Sequence, residues 1–189
     1  MSEIKKIKNS LLSRFPEEGL LKTDLRVIAA SEVPETHKEL LVHEGHMTAT
    51  LEKYFGCKLA LNIKKTRHED DDYSRQLVLH AGKNGPALMA SIIRIHLQFF
   101  GQEITREIIE GKIPLGRILF ENVIQRRVES IAYLRVKMGS KLRAMFEVDD
   151  QYNVTFGRLA RIICENEPAV EMLEIIGPKV PQKTRTELG

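Results

Sequence analysis

Apolar residues along the chain fall first into a helical rhythm and then into a strand rhythm. Ile4, Ile7, Leu11, Leu12 and Phe15 recur every three or four positions and predict an amphipathic helix over residues 3–15, ended by Pro16. Pro34 opens a second helical pattern near its first position, where a missing N–H costs nothing. Leu40, Leu41, Met47, Leu51, Tyr54 and Phe55 carry that pattern to Gly56. Beyond Gly56 the period becomes two. Leu59, Leu61 and Ile63 alternate with Ala60, Asn62 and Lys64, which predicts a strand entering a charged loop, KKTRHEDDD. The clearest hairpin follows, as YSRQLVLHA, the turn GKNG and then PALMASIIRIHLQFF. Residues 102–122 return to helical spacing through Ile104, Ile108 and Ile109, interrupted at Pro114. Residues 123–137 read as a strand, and YNVTFGRLARIIC pairs with AVEMLEII across the tight turn ENEP. Helices lead, and hairpins and long strands follow. That order predicts an α+β fold with a single antiparallel sheet of about six strands, not a doubly wound parallel one.

Composition narrows the class without naming a chemistry. The 189 residues suit one domain, with 42% hydrophobic and 29% charged positions. A net charge of +3 is too small and too evenly spread to argue for nucleic acid. Cys57 and Cys164 are far apart and outside any CxxC spacing, which fits a reducing cytosol better than a disulfide framework. Charges interrupt every apolar run of MSEIKKIKNSLLSRF, so neither a signal peptide nor a membrane insertion is expected. The expectation is a cytoplasmic single domain over residues 1–178, with a flexible tail over 179–189.

Two charges stand in line with apolar neighbours. Tyr73, Arg75, Leu77 and Leu79 share one strand face, and Val170, Met172, Glu174 and Ile176 share another. A buried guanidinium or carboxylate is costly unless it is paired. Two readings follow. Either the two charges pair with each other, or they line a cavity where Arg75 holds an anion and Glu174 handles a proton or hydroxyl. Arg158 and Arg161, three apart on one strand, take opposite faces, so at most one reaches that cavity. His43 and His46 are three apart, where the zincin pattern needs four, and they read as polar-face histidines on a helix. HEDDD at 68–72 has no Asp-x-Asp-x-Asp-Gly frame and reads as a solvated loop. No P-loop, GxGxxG or GxSxG motif occurs, so metal, nucleotide and covalent-nucleophile chemistry lack sequence support, and no cofactor is expected.

The segment GKIPLGRILF mixes helix breakers with grease, and IPLGRILF resembles the PLGR-x-LF segment of chorismate lyases. Three more segments resemble that family in the same order: GHMTATLEKYFG, YSRQLVLHAGKNGPALMASIIRI and FGRLARIICENEPAVEMLEIIGP. The resemblance spans about residues 40–178. It implies helices covering an enclosed ligand pocket, and a cofactor-independent carbon–oxygen lyase eliminating pyruvate from chorismate to give 4-hydroxybenzoate. It also implies that Arg75 holds the ring carboxylate with the Leu115 backbone, that Glu174 faces the ring hydroxyl and that Met47 packs on the ring. Arg158 or Arg161 would meet the enolpyruvyl carboxylate. Pro114 and Gly116 would fix the backbone at Leu115, anchored by Ile118, Leu119 and Phe120, with Arg117 unassigned.

One departure affects the carboxylate. Counting back from Pro178 selects Glu174, whereas counting forward from Pro168 reaches Leu173, with Glu171 the nearest alternative on the opposite face. A β-bulge would favour Glu174. The alternatives to the lyase are a non-catalytic small-molecule sensing domain of the same fold and a related enzyme on another carboxylate. No helix-turn-helix or basic N-terminal segment is evident, which weighs against the sensor. The expected partner is a small molecule, chorismate, and a homodimer is compatible with the sequence.

Overall fold

A computed structural model of the chain describes residues 2–16, 24–122 and 126–181. Helix α1 (Glu3–Ser13) starts at Ser2, whose hydroxyl accepts the Lys5 N–H, and buries Ile7 and Leu11. After β1 (Asp24–Ile28) come α2 (Glu35–Leu41) and α3 (Met47–Phe55). The strands β2 (Leu59–Glu69), β3 (Asp72–Ala81) and β4 (Ala87–His96) follow, then α4 (Gln102–Glu110) and α5 (Leu115–Glu121). The chain closes with β5 (Arg126–Lys137), α6 (Ser140–Met145), β6 (Val154–Cys164) and β7 (Glu167–Ile176).

The strands form one seven-stranded sheet in the order β1-β5-β6-β7-β4-β3-β2, and every pairing is antiparallel. The last strand in sequence is therefore the middle strand in space. Period two sorts the side chains. Val78, Ile92, Leu173 and Ile175 face α1 and α6, while Leu77, Leu79, Ile93 and Met172 face α2–α5. On that second face, Leu40, Leu51, Ile108 and Leu119 close the core from the helices.

Several expectations shift. The helical pattern from Pro34 to Gly56 is two helices, and Pro34 is the N-cap of the first, extended at ψ 147. The break has a local cause: His43 Nε2 donates to the Leu40 carbonyl at 3.0 Å and its Nδ1 accepts the Gly45 N–H at 3.1 Å. Side-chain bonds of this kind compete with helix continuation. His43 and His46 consequently lie in the α2–α3 connection and not on a helix face. Gly56 closes α3 in the left-handed region at φ 64, as its position implied.

The charged run KKTRHE continues β2 and does not leave the sheet, so the loop shrinks to Asp70 and Asp71. β2 is an edge strand with solvent on one side, where charge is tolerated and blunts unwanted pairing. The seventh strand, β1, is short and polar (DLRVI), and its place is set by pairing with β5. Phe120 is 73% exposed and does not anchor α5; Ile118 and Leu119, on the inward face, do so. Residues 123–125, expected in a strand, and 182–189, most of the expected tail, lie outside the described residues.

Candidate functional site

A cavity, partly open to solvent, lies between the sheet and the α3–α5 layer. β3 contributes Arg75 and Leu77, β6 contributes Arg158, and β7 contributes Met172 and Glu174. The helices close it with Met47 at the start of α3 and Leu115 at the start of α5. Five of the six residues singled out in the sequence therefore meet at one place. Arg161 does not. It faces the other side of the sheet, where Nε donates to Glu129 Oε2 at 2.7 Å and Nη1 to Glu3 Oε1 at 2.8 Å. Arg161 thus ties α1 to the β5–β6 pair, and the choice between Arg158 and Arg161 narrows to Arg158.

The extra residue after Pro168 is absorbed by a bulge. Ile162 pairs with Val170 and Ile163 with Pro168, which leaves Ala169 without a partner across the ladder. Past the bulge, Glu174 lies opposite Arg158 in β6 and Ser91 in β4, on the cavity side. Glu171 lies on the other side, 3.5 Å from Arg94.

The two cavity arginines live in different electrostatic settings. Arg158 Nε donates to Glu174 Oε2 at 2.7 Å, and its Nη1 donates to the His43 carbonyl at 2.9 Å and the Leu41 carbonyl at 3.3 Å. The charge and two of the three nitrogens are answered by protein groups. Arg75 is 0% exposed, yet only its Nη1 meets an acceptor, the Ile108 carbonyl at 3.5 Å. Its Nε and Nη2 have no partner. Burial pushes its pKa down to about 10. The pairing of Arg75 with Glu174, one of the two readings left open, is not formed, because Glu174 is engaged by the arginine directly across the ladder.

A cavity residue that the sequence reading placed elsewhere is His46, the neighbour of Met47. Arg126 Nε donates to its Nε2 at 2.8 Å. Burial, followed by the positive charges of Arg126 and Arg158, pushes its pKa down to about 4. Arg117, left without a role, pairs with Glu52 at 2.5 Å. Among the described residues, no group of three or more His, Cys, Asp and Glu side chains is placed to hold a metal. No helix there is long and apolar enough to cross a membrane.

No family model matches the sequence, and no curated protein matches it. Solved structures do. PhnF from Mycobacterium smegmatis superposes with a TM-score of 0.55 at 11% identity, covering 95% of this chain and 83% of that one. The effector domain of the same PhnF gives 0.52 at 10% identity, covering 71% of this chain and 89% of that one. The possible transcriptional regulator YydK from Bacillus subtilis gives 0.51 at 10% identity, covering 97% and 82%. The antiparallel α+β fold is thus shared with PhnF and YydK. These matches correct the expectation of a carbon–oxygen lyase. One of these solved chains is an effector domain and another a possible transcriptional regulator, and this finding runs against the expected pyruvate elimination.

Proposed function

We propose that this domain is a non-enzymatic small-molecule sensor whose cavity binds an organic anion, with Arg75 as the principal anion contact. The observation that carries this reading is the fully buried Arg75 guanidinium, with two nitrogens unpartnered, in a cavity whose remaining β3, β4 and β7 wall is largely Leu and Met. An isolated buried cation costs several kcal/mol. A carboxylate of a ligand offsets that cost through the planar fork of Arg75, and apolar walls favour an organic body behind the carboxylate. Met47 and Leu115 pack on that body from the helices. Glu174 and Arg158 neutralise each other and define the polar far wall.

Binding is tested by differential scanning fluorimetry and calorimetry on the purified chain with benzoate, 4-hydroxybenzoate, straight-chain carboxylates and methylphosphonate. At least one organic anion is expected to raise Tm. The rise is expected to disappear in Arg75→Gln and to persist in Arg161→Gln. A Tm indifferent to all of these anions at millimolar concentration, or a rise that survives Arg75→Gln, rules the reading out.

A further inference from the structure

Three consecutive residues of β3 are buried with polar atoms that no protein group answers. Arg75, on the cavity face, leaves Nε and Nη2 without acceptors. Ser74 and Gln76, 0% and 1% exposed, take the opposite face, where neither the Ser74 hydroxyl nor either end of the Gln76 amide has a partner. Five of the eight such atoms among the described residues therefore belong to residues 74–76. α1 covers the second face. Ser74 stands opposite Arg94 in β4, whose Nη1 donates to Ser10 of α1 at 3.2 Å. Gln76 stands opposite Ile92, which shares a core cluster with Ile7 and Leu11 of α1. A buried polar group without a partner keeps its full desolvation cost, and here that cost falls on both faces of one short segment.

The same segment lies near an edge of the sheet. Only β2 stands beyond β3, so releasing the β2–β3 hairpin breaks a single strand pairing, that of β3 with β4. α1 is tied to this hairpin. Arg14, its C-cap, donates to Glu69 of β2 at 2.8 Å and to Asp72 of β3 at 2.9 Å, and Arg67 of β2 donates to the Arg14 carbonyl at 3.5 Å. The ties from α1 and the hairpin to the rest of the sheet include Asp72 with Arg94 and Glu3 with Arg161, pairs that are partly exposed and individually weak. β7, by contrast, is paired on both sides. Sub-global opening draws on weakly satisfied edge units of this kind, and water admitted here would answer Ser74, Arg75 and Gln76 together.

Resting on the anion-sensing reading, we propose that α1 and the β2–β3 hairpin form a ligand-gated unit, one that opens sub-globally and that the bound anion holds shut. Only the closed unit carries Arg75 into the cavity, so a carboxylate on Arg75 binds the closed form and not the open one. Such a ligand shifts the population towards the closed form as its occupancy rises. The state of the cavity is thereby read on the far face of the sheet, by α1, with no contact between α1 and the ligand.

The test is hydrogen exchange followed by mass spectrometry on wild type, Gln76→Leu and Arg75→Leu. In wild type, amides of α1 and β3 are expected to exchange faster than those of β7. Gln76→Leu removes the orphaned amide from the α1 face and is expected to slow exchange in α1 and β3 about tenfold or more. Arg75→Leu acts on the other face, yet is expected to slow exchange in α1 as well. Ser74→Ala, which deletes one hydroxyl, carries the first arm if Gln76→Leu does not fold. Benzoate and methylphosphonate at millimolar concentration are the ligand probes. At least one is expected to slow exchange in α1 and β3 of wild type, and neither in Arg75→Leu. An α1 that exchanges as slowly as β7, or that is unaffected or quickened by the substitutions on both faces, overturns the inference. A probe that raises Tm but leaves α1 exchange unchanged overturns the gating while the sensing reading stands. Probes that move neither Tm nor exchange, with the substitutions slowing α1, overturn the sensing reading and leave the edge unit standing.

Discussion

The two long walls of the cavity each bury an arginine, and they do so by opposite means. On the β6–β7 wall, Arg158 faces Glu174 across the ladder and donates also to two backbone carbonyls of the α2 end. On the β3 wall, Arg75 is equally buried but has one long bond to Ile108 and two nitrogens with no acceptor. Both positions interrupt a run of apolar neighbours, so the sequence pattern treats them alike. Their energetics differ. A paired buried charge holds its surroundings in one arrangement, whereas an unpaired one costs stability unless something outside the chain answers it. In the proposed reading the first belongs to the scaffold of the site and the second to its contact with a ligand.

The largest effect expected from this contrast is on stability. Arg158→Leu leaves the Glu174 carboxylate buried without its partner and should cost about 3–5 kcal/mol. Replacing both partners, as Arg158→Met with Glu174→Met, should recover most of that loss, because no charge then remains uncompensated. Arg75→Leu should be neutral or stabilising, since it removes a desolvated cation that no side chain pairs. Urea or guanidinium denaturation of the four proteins gives the comparison directly. Similar losses at Arg75 and Arg158 would show that the β3 wall satisfies its arginine after all, and the contrast would fail.

An intermediate effect should appear on acidification. Burial holds His37 at about 4, against a smaller upward pull from a Gly177 backbone bond, and burial likewise holds His46 at about 4. In the unfolded chain both rings take up protons near their ordinary 6.5. The unfolded state therefore binds more protons over that interval, and stability falls as pH drops from 6.5 towards 4. Above 6.5 the two rings add no pH dependence. At 1.36 kcal/mol per unit, the buried His37 is worth at most about 3 kcal/mol at the acid end. His46 is worth less, because it is partly exposed. Denaturation midpoints at pH 7 and pH 5 should separate by less in His37→Phe than in wild type. An unchanged separation would show that His37 is not the titrating group.

These contrasts also mark how far the sequence reads. The facing of side chains was legible, because period two is a local property: Arg75 with Leu77 and Leu79, Met172 with Glu174, and Arg158 opposed to Arg161 all follow from spacing. The hairpins around GKNG and ENEP and the break at Pro114 were legible for the same reason. Pairing outside those two hairpins was not, since it depends on which distant strands become neighbours. Nothing local says that β7 pairs with β4, and the bulged register of the β6–β7 hairpin is what sets Glu174 opposite Arg158. The ambiguity between Glu171 and Glu174 likewise dissolves only once Ala169 is seen to bulge. β1 was missed because DLRVI has too few apolar positions to announce a strand, and its partner β5 lies about a hundred residues further on. The α2–α3 break was missed because it depends on the bonds of one histidine ring to its own backbone.

The smallest effect is expected where the pattern offered a candidate and the structure placed it elsewhere. Arg161 pairs with Glu129 and Glu3 with 29% of its side chain exposed, on the face of the sheet opposite the cavity. Exposed or half-exposed pairs usually contribute less than about 1 kcal/mol and weaken with salt. Arg161→Ala should therefore lower stability by no more than about that amount, with the loss shrinking at high ionic strength. Organic-anion affinity should stay at the wild-type value, because the substitution leaves Arg75, Arg158 and the cavity walls untouched. A marked loss of anion binding in Arg161→Ala, with the fold intact by circular dichroism, would mean that the ligand contacts both faces of the sheet. One buried cavity and one unpaired guanidinium would then no longer be enough to define the site.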